Sequence, residues 1–167
     1  MELLHESEMN NIPILIPVKG ISRRCPGKNR KLLPYTADYL LRQNLIKDAV
    51  VISDDKELGD FASTLGFKIN IEIRKEGGDE LSSCFNFIKN SDYEAFILLP
   101  VTQPFREIDL IQKYCSLYAQ VKNEIDFVTS FVEIPDRKRF LFVCCFLLHT
   151  LTSISIPLAF EPTTIPS

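Results

Sequence analysis

No Asp or Glu occurs from residue 9 to residue 37, although the whole chain of 167 residues is acidic, with a net charge of −3. That overall sign removes any general attraction to nucleic acid or to anionic lipid. The five cysteines (Cys25, Cys84, Cys115, Cys144 and Cys145) contain no CxxC pair and are not matched by paired histidines. An odd number without that spacing argues against a disulfide framework or a zinc site and fits a reducing, cytoplasmic setting. The opening "MELLHESEMNN" lacks the apolar core of a signal peptide and reads as a frayed arm before the first strand. There is no internal repeat and no low-complexity linker. Hydrophobic content of 46% and charged content of 25% are ordinary, and this length is enough to bury one domain core.

The acid-free stretch is where the positive charge collects. In "ILIPVKGISRRCPGKNRKLLPY" an apolar run stops at Val18, and Lys19, Arg23, Arg24, Lys28, Arg30 and Lys31 follow. Removing the +6 of this loop from the total of −3 leaves −9 for the rest of the chain. The loop is a local positive field in an acidic protein.

Around it, apolar runs alternate with helical patterns. "IPILIPV" (12–18), "DAVVIS", "FKINIEI", "EAFILL" and "IDFVTSFV" read as strands. Residues 35–46 read as a helix with Ala37, Leu40, Leu41 and Leu45 on its apolar side. "DKELGDFASTLG" reads as a second helix, with Leu58, Phe61, Ala62 and Leu65 on one face and Gly66 closing it. "ELSSCFNFIKN", with Leu81, Cys84, Phe85 and Ile88 facing in, and residues 107–120 complete the series. Strands alternating with helices of this length imply an α/β fold with a mostly parallel sheet covered on both faces. In such folds ligands bind beyond the carboxyl ends of the strands, near the switch in strand order. The basic loop, "SDD" (53–55), "RKEGGD" (74–79) and "PVTQPFR" (100–106) each follow one of the first four strands, so all four are expected on one rim.

Gly20 and Gly27 allow close backbone approach within the basic loop, but six residues separate them and Asn29 follows Lys28, so it is not a Walker A loop. It is not GxGxxG, which excludes the dinucleotide fingerprint. Aromatics do not interleave with the charges as in a single-strand nucleic-acid reader. What remains is a long cationic loop suited to a triphosphate, set against the plainer reading of a solvated basic loop.

These residues resemble the acylneuraminate cytidylyltransferases, the CMP-sialic acid synthetases. "IPVKGISRRCPGKNRKLL" is similar to that family's signature loop. "ISDDKEL" resembles its "STDDEEI" stretch, Arg74, Asp79, Ser82 and Ser83 its third-strand motif, and "LLPVTQPFR" its "LLQPTSPLR". The resemblance covers residues 12–136. It implies a Rossmann-like, three-layer nucleotidyltransferase fold, and a reaction of CTP with a nonulosonic sugar acid to give a CMP-sugar and pyrophosphate. It implies Lys28 as the residue stabilising the transferring phosphoryl group. It implies nucleotide contacts from Lys19, Gly20, Ser22, Arg23, Arg24, Asn29, Arg74 and Ser82, and sugar-side contacts from Thr102, Gln103 and Arg106. Mg2+ is the implied cofactor, but the family's late metal-binding acids have no match here, and Asp54 and Asp55 read rather as loop and N-cap residues. Three departures stand out: Lys19 replaces an Arg, Ile21 a Gly and Pro100 a Gln, so one bidentate fork and one side-chain amide are lost.

The chain divides on this reading into a nucleotidyltransferase-like domain, 1–136, and an atypical apolar tail, 137–167. From 140 to 160 there is no charged residue. A membrane anchor behind Arg137, Lys138 and Arg139, core strands for "FLFVCC", and a truncated or out-of-frame end of a longer synthetase are the competing expectations; the last is preferred. The family's homodimer depends on a segment with no counterpart here. The expected partners are CTP and a sugar acid, without nucleic acid, and only the tail leaves a membrane open. The alternative is a degenerate or truncated nucleotide-binding module without turnover.

Overall fold

A computed structural model describes residues 12–22, 25–74, 78–93, 95–121, 127–134 and 139–149, with residues 121, 127–134 and 139–149 described at the level of the backbone. Six strands and four longer helices follow in order: β1 (Ile14–Val18), α1 (Lys28–Arg42), β2 (Ala49–Ser53), α2 (Lys56–Thr64), β3 (Lys68–Ile71), α3 (Glu80–Lys89), β4 (Ala95–Leu98), α4 (Leu110–Val121), β5 (Phe127–Ile134) and β6 (Arg139–His149). They form one sheet in the order β3-β2-β1-β4-β6-β5. β1 to β4 are mutually parallel, and β6 runs antiparallel to both its neighbours. This is the α/β architecture with a mostly parallel sheet expected from the alternating pattern.

The apolar runs explain the layers. Every residue of β1, β2 and β4 is buried, as strands covered on both faces must be. Ile14, Ile16 and Val18 face one side, where Leu33, Ala37 and Leu40 of α1, Leu58 and Ala62 of α2, and Ile111, Tyr114 and Cys115 of α4 cover them. Leu15, Val50, Ile52, Phe96 and Leu98 face the other side and are covered by Cys84 and Ile88 of α3. Phe85 adds an edge-on ring contact to Phe96 at 5.9 Å between centroids. Each such buried side chain contributes about 1.5–3 kcal/mol relative to exposure.

Two expectations change. The first helix begins at Lys28 rather than at residue 35, so "KNRK" forms its opening turns and Pro34 lies inside it. Its buried stripe is Asn29, Leu33, Thr36, Ala37 and Leu40, with Tyr39 at its margin, while Leu41 is 56% exposed. Proline removes one helical hydrogen bond, and burial of Leu33 and Ala37 on either side of it outweighs that loss. In addition, β6 lies inside the segment set apart as a tail and is hydrogen-bonded to both β4 and β5. A boundary at residue 136 therefore falls between two neighbouring strands of one sheet. Among the described residues no helix is long and apolar enough to cross a membrane; residues 150–167, and the N-terminal arm, lie outside those described.

Candidate functional site

The four parallel strands end on one rim, and hydrogen bonds tie three of the loops that leave it. Gly20 N donates to Asp54 Oδ1 at 2.8 Å, joining the β1–α1 loop to the end of β2. Lys19 Nζ donates to the Gly78 carbonyl at 3.0 Å, joining it to the β3–α3 loop. Glu72 N donates to the Ser53 carbonyl at 2.9 Å, joining the second and third. Strand order reverses between β1 and β4, the position where open α/β sheets leave a crevice.

A cleft of about 170 Å³ opens at this rim, lined by Lys19, Gly20, Ser22, Gly27, Lys28 and Asn29, with Asp55, Glu57 and Leu58 of the facing segment. Its floor is the start of α1. Gly27 is the N-cap, in the left-handed conformation at φ 71°, and no side chain caps the helix. The first turn contains no acid; it contains Lys28 and Arg30. Helix starts usually carry an Asp, Ser or Thr cap and acidic first-turn residues, which complement the dipole. A sequence that does the opposite leaves backbone N–H groups and basic side chains together at the helix start, an arrangement suited to an anion.

The cleft keeps its shape through two contacts. Asn29 is 7% exposed and donates through Nδ2 to the Lys19 carbonyl at 2.7 Å. A Cβ on Gly20 would lie 2.3 Å from Asp55 Cβ, so only glycine allows the loop to lie this close to α2. Arg30 also lines the cleft, with its guanidinium over the Phe61 ring at 4.4 Å.

Five of the expected nucleotide residues thus meet in one cleft: Lys19, Gly20, Ser22, Lys28 and Asn29. Arg23 and Arg24 lie outside the described residues. Arg74 and Ser82 do not line the cleft. Arg74 pairs with Glu72 below the rim, at 2.8 Å. Ser82 sits on the first turn of α3, its hydroxyl and backbone N–H donating to the N-cap Asp79 at 2.6 and 2.7 Å. Those hydrogen bonds, with Lys19 nearby, hold the Asp79 carboxyl below its ordinary range.

The sugar-side residues occupy a separate place. Arg106 lines an open groove of about 570 Å³ with Tyr35, Tyr39, Arg42 and Phe105. Its guanidinium donates to the Pro100 carbonyl and lies 5.5 Å from the Tyr39 ring centroid. Thr102 is exposed and Gln103 half-buried in the turn that follows Pro100. Neither lines the groove.

Asp55 Oδ1 accepts from Leu58 N at 2.8 Å as the N-cap of α2, and Asp54 Oδ1 holds Gly20 N. Among the described residues no three His, Cys, Asp or Glu side chains group as metal ligands. That count bears on an all-protein cage; Mg2+ held together with phosphates needs only one or two carboxylates, and Asp54 and Asp55 are the ones at this rim. Glu72, the partner of Arg74, is a residue that sequence reasoning did not single out. Its signal was available: residues 72 and 74 are two apart on extended chain, which places a carboxylate and a guanidinium on one side.

No protein-family model matches the chain. Its sequence is 30% identical over 115 residues to an N-acylneuraminate cytidylyltransferase of Escherichia coli, covering 62% of this chain and 27% of that protein. The chain is similar in sequence to this cytidylyltransferase. A pseudaminic acid cytidylyltransferase of Campylobacter jejuni is 24% identical over 147 residues, covering 79% of this chain and 63% of that one. The chain therefore spans about a quarter of the first protein's length and under two thirds of the second's. Its fold matches a cytidylyltransferase from Leptospira borgpetersenii, with TM-score 0.65, 18% identity, 83% of this chain and 60% of that one. It also matches a CMP:2-keto-3-deoxy-manno-octonic acid synthetase complexed with CTP, with TM-score 0.63, 15% identity, and 83% and 71% coverage. At these identities the two structures support the fold alone.

Proposed function

We propose that the chain carries the nucleotide site of a cytidylyltransferase that activates a nonulosonic sugar acid with CTP. The observation that supports this best is the uncapped, basic start of α1, which forms one cleft with Lys19, Gly20 and Ser22. In this reading the triphosphate lies across that helix start, and Lys28 faces the α-phosphate. The anomeric hydroxyl of the sugar acid attacks the α-phosphorus. A new oxygen–phosphorus bond forms as the bond to the β-phosphate oxygen breaks, and pyrophosphate leaves. The protein's part is orientation and stabilisation of the charge that develops, not covalent chemistry. Asn29 and Arg74 stand on the nucleoside side, and Thr102, Gln103 and Arg106 on the sugar side. In this reading Mg2+ would offset the negative charge of the triphosphate.

Pro100 favours a second reading, nucleotide binding without turnover. It stands where the relatives' motif has an amide side chain, and its carbonyl is taken by Arg106. Pyrophosphate release from CTP, measured with a panel of nonulosonic acids beside calorimetric CTP binding, separates the two. Release dependent on one sugar acid supports transfer. Binding without release leaves only the second reading, and no CTP binding overturns both.

A further inference from the structure

β3 is the end strand of the sheet, with β2 as its only strand neighbour among the described residues. Glu72 N donates to the Ser53 carbonyl. In a parallel ladder of that phase, Lys68, Asn70 and Glu72 turn their backbone groups toward β2, and Ile69 and Ile71 turn theirs outward. Proteins usually blunt such an edge with a bulge, a proline or several charges. Here the register against β2 is unbroken from Lys68 to Ile71. Residues 67–73, "FKINIEI", contain no proline, and Lys68 and Glu72 are their only charges. Ile71 is 51% exposed and Ile73 fully so.

The edge is complementary to itself. Two copies laid antiparallel about Asn70 set Phe67 beside Ile73, Lys68 beside Glu72 and Ile69 beside Ile71 of the other copy. Apolar side chains meet apolar ones, and the one cation meets the one anion. Ile69 and Ile71, with outward backbone groups, fall in the hydrogen-bonded pairs; Lys68, Asn70 and Glu72 fall where the chains come closest and side chains interact most. Sliding by two residues sets Lys68 against Arg74 or against Asn70, and sliding by one mismatches both the faces and the backbone groups. Glu72 is already fixed through Oε1 by Arg74 and Ser83, so its place opposite Lys68 is set before a partner arrives.

We propose that β3 pairs with β3 of a second copy of this chain, about a two-fold axis through Asn70, so that one sheet runs across a homodimer. Such a contact is isologous and closes after two copies. Ile69 and Ile71 share the face covered by α2, where a Cβ on Gly59 would lie 2.6 Å from Ile71 Cδ1. Pairing brings the isoleucines of both copies together on that face and removes Ile71 and Ile73 from water. No residue of β3 lines the cleft around Lys28, so this inference stands apart from the nucleotide reading. A ladder this short is small beside a standard interface, and a dissociation constant of about 10–100 μM is expected.

The test is sedimentation velocity of the full chain from about 5 to about 300 μM, a range that brackets that constant. The wild type is expected to pass from monomer to dimer. Ile73→Lys places a charge beside Phe67 of the other copy and is expected to weaken the dimer about tenfold or more. Lys68→Glu sets like charges opposite each other at both ends of the ladder and is expected to weaken it about fivefold. Both positions are exposed, and circular dichroism checks that the fold is kept. A wild type that stays monomeric at about 300 μM overturns the proposal, as does a dissociation constant within about twofold of wild type in either folded variant. Asn70→Cys gives a positive readout that needs no weakening: two thiols on the axis stand within disulfide reach. Mild oxidation is expected to yield a covalent dimer beyond any formed by the wild type, and its absence overturns the pairing. A monomeric wild type that instead binds an added, unrelated extended peptide at this edge assigns the edge to a foreign strand and overturns the proposal equally.

Discussion

Asn29 and Lys19 are ten residues apart, and the Asn29 side-chain amide donates to the Lys19 carbonyl at 2.7 Å. The two ends of the β1–α1 loop are thereby held together by one buried side chain. Asn29→Ala removes the donor and leaves a carbonyl short of a partner. Loss of about 1–3 kcal/mol of stability is expected, together with weaker CTP binding. Urea midpoints and calorimetry check the two effects separately.

The two glycines of the loop are expected to fail differently. Gly20→Ala places a methyl group against Asp55 Cβ at 2.3 Å, so the loop or α2 has to move. Gly27→Ala meets nothing within 4 Å, and only its positive φ is unfavourable. The second should lose about 1–2 kcal/mol of stability and keep CTP binding within a few fold. The first should lose CTP binding along with stability. Equal binding losses in both would argue against a steric role for Gly20.

In the proposed reaction Lys28, which lines the cleft at the uncapped helix start, meets the developing phosphoryl charge. Lys28→Gln is expected to lower the rate of pyrophosphate release by about 10²–10³, the usual effect of removing one electrostatic stabiliser. CTP affinity should change much less. A rate within about fivefold of wild type would remove Lys28 from the mechanism.

Asp79 caps α3 and its folded pKa lies below the ordinary 3.8, chiefly because the Ser82 hydroxyl and then the Ser82 N–H donate to it. A carboxylate depressed in the folded state stabilises above its unfolded pKa, and that contribution is lost as pH falls through the folded pKa. The group is largely exposed, so the effect is that of a cap, about 1 kcal/mol. Wild type should exceed Asp79→Ala in stability at pH 7, and the difference should shrink below about pH 4. Denaturant midpoints across that range measure it.

Thiol reactivity gives a further check. Burial pushes the Cys115 thiol up to about 11 and that of Cys84 higher still. Cys25 is exposed in the basic loop. Among these three, Cys25 alone is expected to react rapidly with a thiol reagent in the folded protein, and CTP should slow it. Peptide mapping after brief labelling reads the outcome.

The sheet was legible because β1, β2 and β4 are short apolar runs and β3 alternates, signals that need no tertiary information. The cleft was legible in part, since charge and glycine mark the loop. The start of α1 was not: "KNRKLLP" carries a proline and no cap, and local preference argues against a helix there. Tertiary burial of Leu33 decides it. Leu41 was misread because it falls beside the buried stripe of Leu33, Thr36, Ala37 and Leu40 and not within it. The Glu72–Arg74 pair was missed because the motif drew the eye to the arginine, while its partner follows only from knowing that the chain stays extended to residue 72. The position of β6 depends on long-range pairing that no local pattern encodes.

That position bears on how the protein is made. β4 finds β1 on one side, but its other neighbour arrives more than fifty residues later, with Ala95 opposite His149. As the chain leaves the ribosome, the loops that form the cleft can settle while one flank of β4 still waits for a partner. During that interval an apolar strand edge is open to any extended peptide nearby. Slow synthesis through the segment that becomes β6 would lengthen the wait, and a chaperone that shields this edge would shorten its consequences.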